Sequence, residues 1–153
     1  MLSKAVHIRA VTYVPRAGMM WLGCQNRDMN NARNAAVSLT SMLARFSEHW
    51  APKKIADLND YDVKIVKLQG EFTWHRHADT DEFFLVIDGR LTIQLRESNV
   101  VLGPGELFVV ARGVEHCPKA DVETSVMLIE PKGVVNTGDA GGEFTTELAD
   151  LTG

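Results

Sequence analysis

The chain has 153 residues, of which 45% are hydrophobic, and a formal net charge of −4 at pH 7. This length suits one folded domain with a buried core, and the acidic balance argues against DNA or RNA as a partner. No apolar run approaches the roughly 18 residues of a membrane span, so we expect no membrane partner.

The first 33 residues form an extension whose composition differs from the rest of the chain. They hold a single acid, Asp28, and five basic residues, namely Lys4, Arg9, Arg16, Arg27 and Arg33. An arginine-rich, acid-poor start is typical of a mitochondrial presequence. Two other interpretations stay open: translation that begins at Met29, and an arm strand over residues 6–14, where apolar and polar residues alternate in part.

The cysteines give a different indication of the compartment. Cys24 and Cys117 are the only two in the chain, and two cysteines in a chain of this length make no disulfide framework. A reducing compartment is therefore expected. We predict a cytoplasmic location, with a mitochondrial one as the alternative if residues 1–33 are a presequence.

Residues 34–49 predict an amphipathic helix. Apolar residues recur there mostly three and four positions apart, at Val37, Leu39, Met42, Leu43 and Phe46. Asn31 or Asn34 is the expected N-cap, and Pro52 ends the helix because proline disfavours helical geometry at the residue before it. The apolar face must lie against the rest of the domain or against a second subunit.

From residue 53 onward the sequence favours β-strands. Runs rich in Val, Ile, Leu and Phe cover residues 53–58, 62–69, 72–77, 82–87, 91–96, 100–102, 107–111 and 124–130. Turn residues separate several of them, as at Asp88-Gly89 and Gly103-Pro104-Gly105. Short strands at this regular spacing indicate an all-β sandwich or barrel. Residues 132–153, rich in Gly and Thr, predict an irregular tail over the surface.

Four side chains in the β region have the chemistry of metal ligands. His75 and His77 are two residues apart, so they point to the same face of an extended chain. Glu82 follows a polar bend and shares a face with apolar residues, where a carboxylate is costly unless it is paired or bound to a cation. His116 begins a second segment after a glycine turn. We predict that the two segments converge and that these four side chains hold one divalent metal.

Three other residues with side chains that can bind metals are not predicted to be ligands. His7 and His49 are expected to be satisfied or solvated side chains rather than ligands. Cys117 adjoins His116, but alternation along a strand places its thiol on the opposite face. The pocket around the metal is expected to be lined by Phe72, Phe84, Gln94 and Phe108.

The spacing of these residues resembles the two sequence motifs of the cupin family. The first motif is Gly, five residues, His-x-His, three or four residues, Glu, six residues and Gly. Its matches here are His75, His77, Glu82 and Gly89, whereas Gly70 is one residue too close to His75. The second motif is matched by Gly105, Gly113 and His116, with Ala111 and Ala120 where the family has Pro and Asn.

The resemblance implies a fold and a metal centre. The fold is a double-stranded β-helix, or jelly-roll barrel, from about residue 53 to residue 131, within a single domain over residues 34–153. The chain is similar to small single-domain cupins labelled mannose-6-phosphate isomerase-like. Three imidazoles and one carboxylate leave two positions open on an octahedral ion, which suits Fe(II), Mn(II) or Ni(II). Tetrahedral Zn(II) is possible but would be saturated by four ligands.

Two functions are compatible with such a centre. One is a dioxygenase or isomerase that acts on a small oxygen-rich molecule through the metal. The alternative is a non-catalytic module that binds a small ligand or uses the metal to stiffen the barrel. Because exposed sheet edges need a cover, we also expect a homodimer in which the helix or the N-terminal arm covers an edge.

Overall fold

The computed structural model describes residues 35–152. The predictions for residues 1–33, including the presequence and the arm strand, lie outside these residues. So do His7 and Cys24. Within the described part of the chain, no helix is long and apolar enough to cross a membrane.

The one helix in residues 35–152, α1 (Leu39–Leu43), is shorter than the predicted helix over residues 34–49. Its N-cap is Ser38, whose hydroxyl accepts a hydrogen bond from the Ser41 N–H at 3.3 Å. The chain then extends along the barrel: the Trp50 N–H donates to the Lys67 carbonyl at 2.9 Å, and Trp50 has a positive φ of 59°. Pairing with the barrel therefore ends the helix before Pro52 is reached.

Eight strands follow in the described residues and confirm the all-β class. They are β1 (Lys53–Leu58), β2 (Tyr61–Glu71), β3 (Glu82–Asp88), β4 (Leu91–Leu95), β5 (Asn99–Leu102), β6 (Leu107–Val110), β7 (His116–Pro131) and β8 (Ala149–Asp150). The strand predicted over residues 72–77 is not formed. That segment is extended and contacts its neighbour through an isolated antiparallel bridge between His75 and His116.

Strand β7 is the spine of the barrel. It is 16 residues long and pairs antiparallel with β2 along most of its length. On its other side it pairs first with β4, through residues 116–119, and then with β3, through residues 125–129. The strand thus joins the β5-β4 pair to the β3-β6 pair, as expected for a double-stranded β-helix.

A glycine fixes the turn between β3 and β4. Gly89 has a φ of +90°, and a Cβ atom there would lie 2.6 Å from Oγ1 of Thr124 and 2.8 Å from its Cα. A residue with a side chain would be both strained and blocked, so only glycine fits. The turn packs against β7, where the Thr124 hydroxyl accepts a hydrogen bond from the Arg90 N–H at 3.1 Å.

The core lies between the inward faces of the strands. Its members are buried apolar side chains with the two-residue period of a strand, and they include Val66, Leu68, Phe84, Val86, Leu91, Ile93, Val126 and Leu128. The same inward faces carry buried polar side chains, among them Lys64, Glu82, His116 and Glu130. The interior of the barrel therefore combines an apolar core with a polar cluster.

The C-terminal segment consists of turns and the short strand β8, which pairs with β1, and it packs against the barrel. Phe144 packs with Phe72 at 5.0 Å between ring centroids and with Trp50 at 6.2 Å. The Asn136 amide donates hydrogen bonds to the carbonyls of Trp50 at 3.3 Å and Phe144 at 2.7 Å. These contacts hold the segment over one end of the barrel core.

Candidate metal centre

Backbone hydrogen bonds bring the two histidine segments together. The His75 N–H donates to the His116 carbonyl at 3.0 Å, and the His116 N–H donates back to the His75 carbonyl at 2.9 Å. The Gly113 N–H donates to the His77 carbonyl at 2.7 Å, which fixes the glycine turn before His116. The isolated bridge between His75 and His116 thus brings the two segments together, which was the role expected of a strand over residues 72–77.

The four predicted ligands meet around one carboxylate oxygen. From Oε2 of Glu82, the Nε2 atoms lie at 2.8 Å in His116, 3.3 Å in His77 and 3.9 Å in His75. The ligand atoms of His75, His77 and Glu82 all lie within 4.8 Å of one another. All four side chains are buried, with exposed fractions between 1% and 7%.

Backbone carbonyls determine which nitrogen of two of the rings faces this oxygen. Nδ1 of His75 is 3.0 Å from the Thr73 carbonyl, and Nδ1 of His116 is 3.1 Å from the Val114 carbonyl. A carbonyl can only accept, so each Nδ1 carries a proton and donates it. This arrangement leaves Nε2 directed at the centre, and it is the usual second bond of a metal-binding histidine.

Two nitrogens of the centre lack hydrogen-bond partners. Nε2 of His75 and Nε2 of His77 are buried and make no hydrogen bond. Nε2 of His116 faces a carboxylate oxygen at 2.8 Å, and two lone pairs at this separation repel unless a proton or a cation lies between them. Buried nitrogens without partners are rare in folded proteins. Imidazole and carboxylate ligands suit a divalent transition metal, so the donor set fits such an ion.

The charges of the cluster shift the pKa values of its members. Burial raises the pKa of Glu82, but the neighbouring imidazoles of His116 and His77 outweigh burial and lower that pKa to about 2. Burial lowers the pKa of His77, yet the Glu82 carboxylate outweighs it and the net shift is upward. Burial lowers the pKa of His75. A carboxylate that stays ionised among imidazoles is ready to bind a cation.

A small, mostly apolar cavity opens onto the centre. Its volume is about 30 Å³, enough for about two water molecules. Most of its lining is apolar, and the lining residues are Trp50, Pro52, Val66, Leu68, Phe72, His75, Glu82, Phe84, Pro118, Leu128, Glu130 and Asn136. The predicted pocket residues Phe72 and Phe84 are among them.

The two other predicted pocket residues, Gln94 and Phe108, do not line this cavity. In β4 the buried positions are Leu91 and Ile93, so the pleat turns Gln94 to the other face, where its amide donates to the Cys117 carbonyl at 3.4 Å. Phe108 faces inward opposite Phe84, but it packs against the apolar core and does not reach the cavity. Only for Gln94 did the prediction fail because the inward face of the strand was not fixed.

His49 and Cys117, which were not predicted to bind the metal, are not part of the cluster of His75, His77, Glu82 and His116. His49 is one-third exposed and lies 2.9 Å from the Glu123 carboxylate at the surface. Cys117 is buried, and its thiol donates to the Phe72 carbonyl at 3.4 Å. Burial raises the pKa of Cys117 to about 11, so the thiol stays protonated at neutral pH and is a poor metal ligand.

A buried ion pair lies beside the centre and was not predicted from the sequence. Nζ of Lys64 lies 2.6 Å from Oε2 of Glu130, and both side chains are only 2% exposed. Glu130 lines the same cavity as His75 and Glu82. Nothing in the sequence around Lys64 and Glu130 indicated that either side chain faces inward.

Comparison with known proteins agrees with this fold. The family model described as "Cupin domain" matches residues 63–132. A cupin-2 domain containing protein from Shewanella frigidimarina, whose crystal structure is known, is 44% identical to this chain with a TM-score of 0.64. The match covers 68% of this chain and 99% of that protein. This chain belongs to the cupin superfamily.

Two further comparisons extend this result. The uncharacterized protein YdbB of Bacillus subtilis is 29% identical to this cupin over 96 residues, which is 62% of this chain and 85% of that protein. Hydroquinone 1,2-dioxygenase PnpCD, solved with Cd²⁺ and 4-hydroxybenzonitrile, is 19% identical with a TM-score of 0.56, covering 81% of this chain and 90% of that one. At this identity, the likeness to the dioxygenase concerns the fold.

Proposed function

We propose that this cupin binds one divalent metal ion through His75, His77, Glu82 and His116, and that the metal holds a small ligand or substrate. The observation that carries the proposal is the pair of buried Nε2 atoms, on His75 and His77, that make no hydrogen bond beside the Glu82 carboxylate. A bound metal would supply Lewis-acid polarisation and would orient a ligand with oxygen donors.

The protein residues have separable tasks in this proposal. Glu82 supplies the negative charge of the ligand set. The Thr73 and Val114 carbonyls hold the rings of His75 and His116 in the tautomer that leaves Nε2 free. The apolar lining keeps bulk water from the centre, which strengthens electrostatic interactions inside it.

The ligand set favours some metals over others. Three imidazoles and one carboxylate leave open positions on an octahedral ion, so Fe(II), Mn(II) or Ni(II) would retain space for a ligand. Zn(II), which prefers four ligands, would be saturated by the same set. We therefore favour one of the first three ions as the native metal.

The cavity bears on the type of reaction. Among the described residues that line it there is no Lys or Arg, which a phosphate group would need for recognition. Its small, apolar volume also offers few polar partners to a sugar. We therefore favour dioxygenase-type chemistry over isomerisation of a sugar phosphate. The alternative function is a binding or structural module, which the narrow cavity also supports.

Metal analysis of matched variants tests the proposal. Freshly purified protein and protein reconstituted with Fe(II), Mn(II) or Zn(II) are compared with His77→Ala, His116→Ala and the control His49→Ala, whose surface imidazole is outside the centre. We expect about one metal per chain in the wild type and in His49→Ala, and strong loss in the other two. Equal metal content in all four proteins would exclude the proposed centre.

Turnover assays then separate the enzyme from the module. Fe(II)-loaded protein is screened for substrate-dependent oxygen uptake, and Mn(II)-loaded protein for isomerisation of sugar phosphates. Oxygen uptake that His77→Ala abolishes supports the dioxygenase. If no substrate is turned over while a small molecule raises the melting temperature of the loaded protein, the module is the better description.

We also propose that the protein is a homodimer. The outer surface of β6, β3 and β7 carries an apolar face opposite the core, which we call the outer face. It consists of Phe83, Leu85, Leu107, Val109, Met127 and Ile129, joined by strand pairing. Leu107 is 56% exposed and Val109 is 44% exposed. Adjacent apolar residues with this exposure are typical of a surface that associates with another protein.

A further inference from the structure

The Lys64–Glu130 ion pair lies in the barrel interior. The two residues belong to the neighbouring strands β2 and β7, where Lys64 is opposite Leu128 and Glu130 is opposite Asp62. The side chains therefore meet diagonally across the strands, with 2.6 Å between Nζ and Oε2. Both side chains are 2% exposed.

Stability does not explain why these charges are inside the barrel. Removing two charges from water is costly, and replacement of a buried ion pair by apolar residues of similar volume is often neutral or stabilising. On the same strands Val66 and Leu128 are buried and apolar, and Asp62, directly opposite Glu130, is a buried carboxylate. The charges of Lys64 and Glu130 therefore need a reason other than stability.

The position of Glu130 supplies that reason. Glu130 lines the cavity together with His75 and Glu82, whereas Lys64 is not among the lining residues. The acidic member of the ion pair is thus the one that borders the cavity beside the metal centre.

We infer that Glu130 is a positioning residue of the metal centre, held in place by Lys64. Its carboxylate attracts the cation, accepts a hydrogen bond from a hydroxyl group in the cavity and disfavours anions there. The ligand class is then a small uncharged molecule that presents a hydroxyl donor to the cavity. This inference rests on the proposed metal-binding function.

Two probes and two variants test the inference. The probes are Co(II), titrated by its visible absorption, and azide, a small anion added to the Co(II)-loaded protein. Glu130→Gln keeps the shape of the side chain and leaves the Lys64 ammonium without its partner. The double variant Lys64→Met/Glu130→Leu removes both charges and leaves an apolar pair, so it keeps the test decisive even if Glu130→Gln folds poorly.

We expect both variants to bind Co(II) more weakly and azide more tightly than the wild type. In Glu130→Gln the affinity for Co(II) falls several-fold, because a negative charge near the cation is lost, and azide binds several-fold more tightly. In the double variant the melting temperature stays at or above that of the wild type, Co(II) binding still weakens and azide binding still tightens.

Other results would overturn the inference. If the double variant binds Co(II) and azide as the wild type does, the ion pair has only a structural role. A wild-type protein that takes up no Co(II) would overturn the proposed metal-binding function and this inference with it. The two failures are distinguishable, because the first appears only in the variants and the second appears in the wild type.

Discussion

Two backbone carbonyls prepare His75 and His116 for metal binding. Each accepts the Nδ1 proton of its ring at 3.0 or 3.1 Å and leaves the other nitrogen directed at Glu82. The carbonyls belong to residues two positions earlier in the chain, Thr73 and Val114. The local backbone, rather than a distant side chain, therefore sets the tautomer of both rings.

Acidification is expected to release the metal from the centre. An imidazole binds metal only when it is neutral, and Glu82 raises the pKa of His77 above the usual range of a histidine despite burial. Because a raised pKa favours the protonated ring, protons compete with the metal as the pH falls through that pKa. We expect full loading at about pH 8 and progressive loss as the pH falls below about 7.

The visible absorption of Co(II)-loaded protein between pH 5 and 8 measures this loss. The control is His49→Ala, which should follow the wild-type curve because His49 lies at the surface beside Glu123. Loading that does not change over this range would contradict binding through neutral imidazoles.

The cluster of His75, His77, Glu82 and His116 was predictable from the sequence, but the ion pair beside it was not. His75 and His77 share a face by spacing alone, and a glutamate among apolar residues indicates a buried charge. In β2, by contrast, Lys64 alternates with Val63 and Ile65, and each face of residues 62–69 holds two apolar and two polar residues. The pattern gives no inward face, so tertiary packing alone decides that Lys64 is buried.

At the scale of elements, the positions of the strands were easier to predict than the full length of the longest strand, β7. Strand β7 runs from His116 to Pro131, but the sequence indicated a strand only over residues 124–130 and a separate segment before it. Pro118 and the polar residues near 121–123 interrupt the apolar pattern. They are tolerated because the spine changes partner there, from β4 to β3.

The helix is a second case in which tertiary contacts changed a local preference. The apolar pattern extends to Phe46 and Trp50, yet α1 ends at Leu43. Trp50 is 8% exposed, stacks on Phe72 at 4.9 Å between ring centroids and donates its indole N–H to the Gln69 carbonyl. Burying this side chain at the mouth of the barrel outweighs continuing the helix.

Asn136 is expected to keep the mouth of the barrel closed. Its side chain donates to two carbonyls and accepts from the Thr146 N–H at 3.2 Å. Asn136→Ala removes these hydrogen bonds, so we expect a loss of about 2 kcal/mol in the free energy of unfolding. Chemical denaturation measures this loss.

The rate of metal removal tests whether Asn136, at the end of the barrel, also controls access to the metal centre. In Asn136→Ala, EDTA should remove bound Co(II) faster than from the wild type, because Trp50 and Phe144 are no longer tied together. The control is Asn99→Ala, an exposed position in β5. If Asn136→Ala matches that control in both measurements, the C-terminal segment does not close the cavity.

At the scale of the whole molecule, regular strand spacing was sufficient to predict the barrel. The turn at Gly89 and the apolar alternation in β3 and β4 fix the hairpin and its inward face. The outer face was not predictable in the same way, because the partner of a surface is absent from the sequence pattern of one chain. Its apolar character is visible only once β6, β3 and β7 are placed side by side.

A lysine in the outer face is expected to separate the two subunits. Val109→Lys places a charge in an apolar interface, where burial without a partner is costly. We expect the wild type to be a dimer at micromolar concentration and Val109→Lys to be a monomer. Light scattering measures both masses.

The matched control is Val122→Lys, because Val122 is 59% exposed and lies outside the outer face. This variant should remain a dimer. A monomeric wild type would contradict the homodimer, and a dimeric Val109→Lys would place the interface on another surface.

Anomalous X-ray scattering from crystals grown with Co(II) tests the metal centre most directly. We predict one strong peak about 2.0–2.3 Å from Nε2 of His75, Nε2 of His77 and a carboxylate oxygen of Glu82, with His116 completing the set. A peak elsewhere, or none in the presence of excess Co(II), would contradict the assignment of these four side chains to a single metal ion.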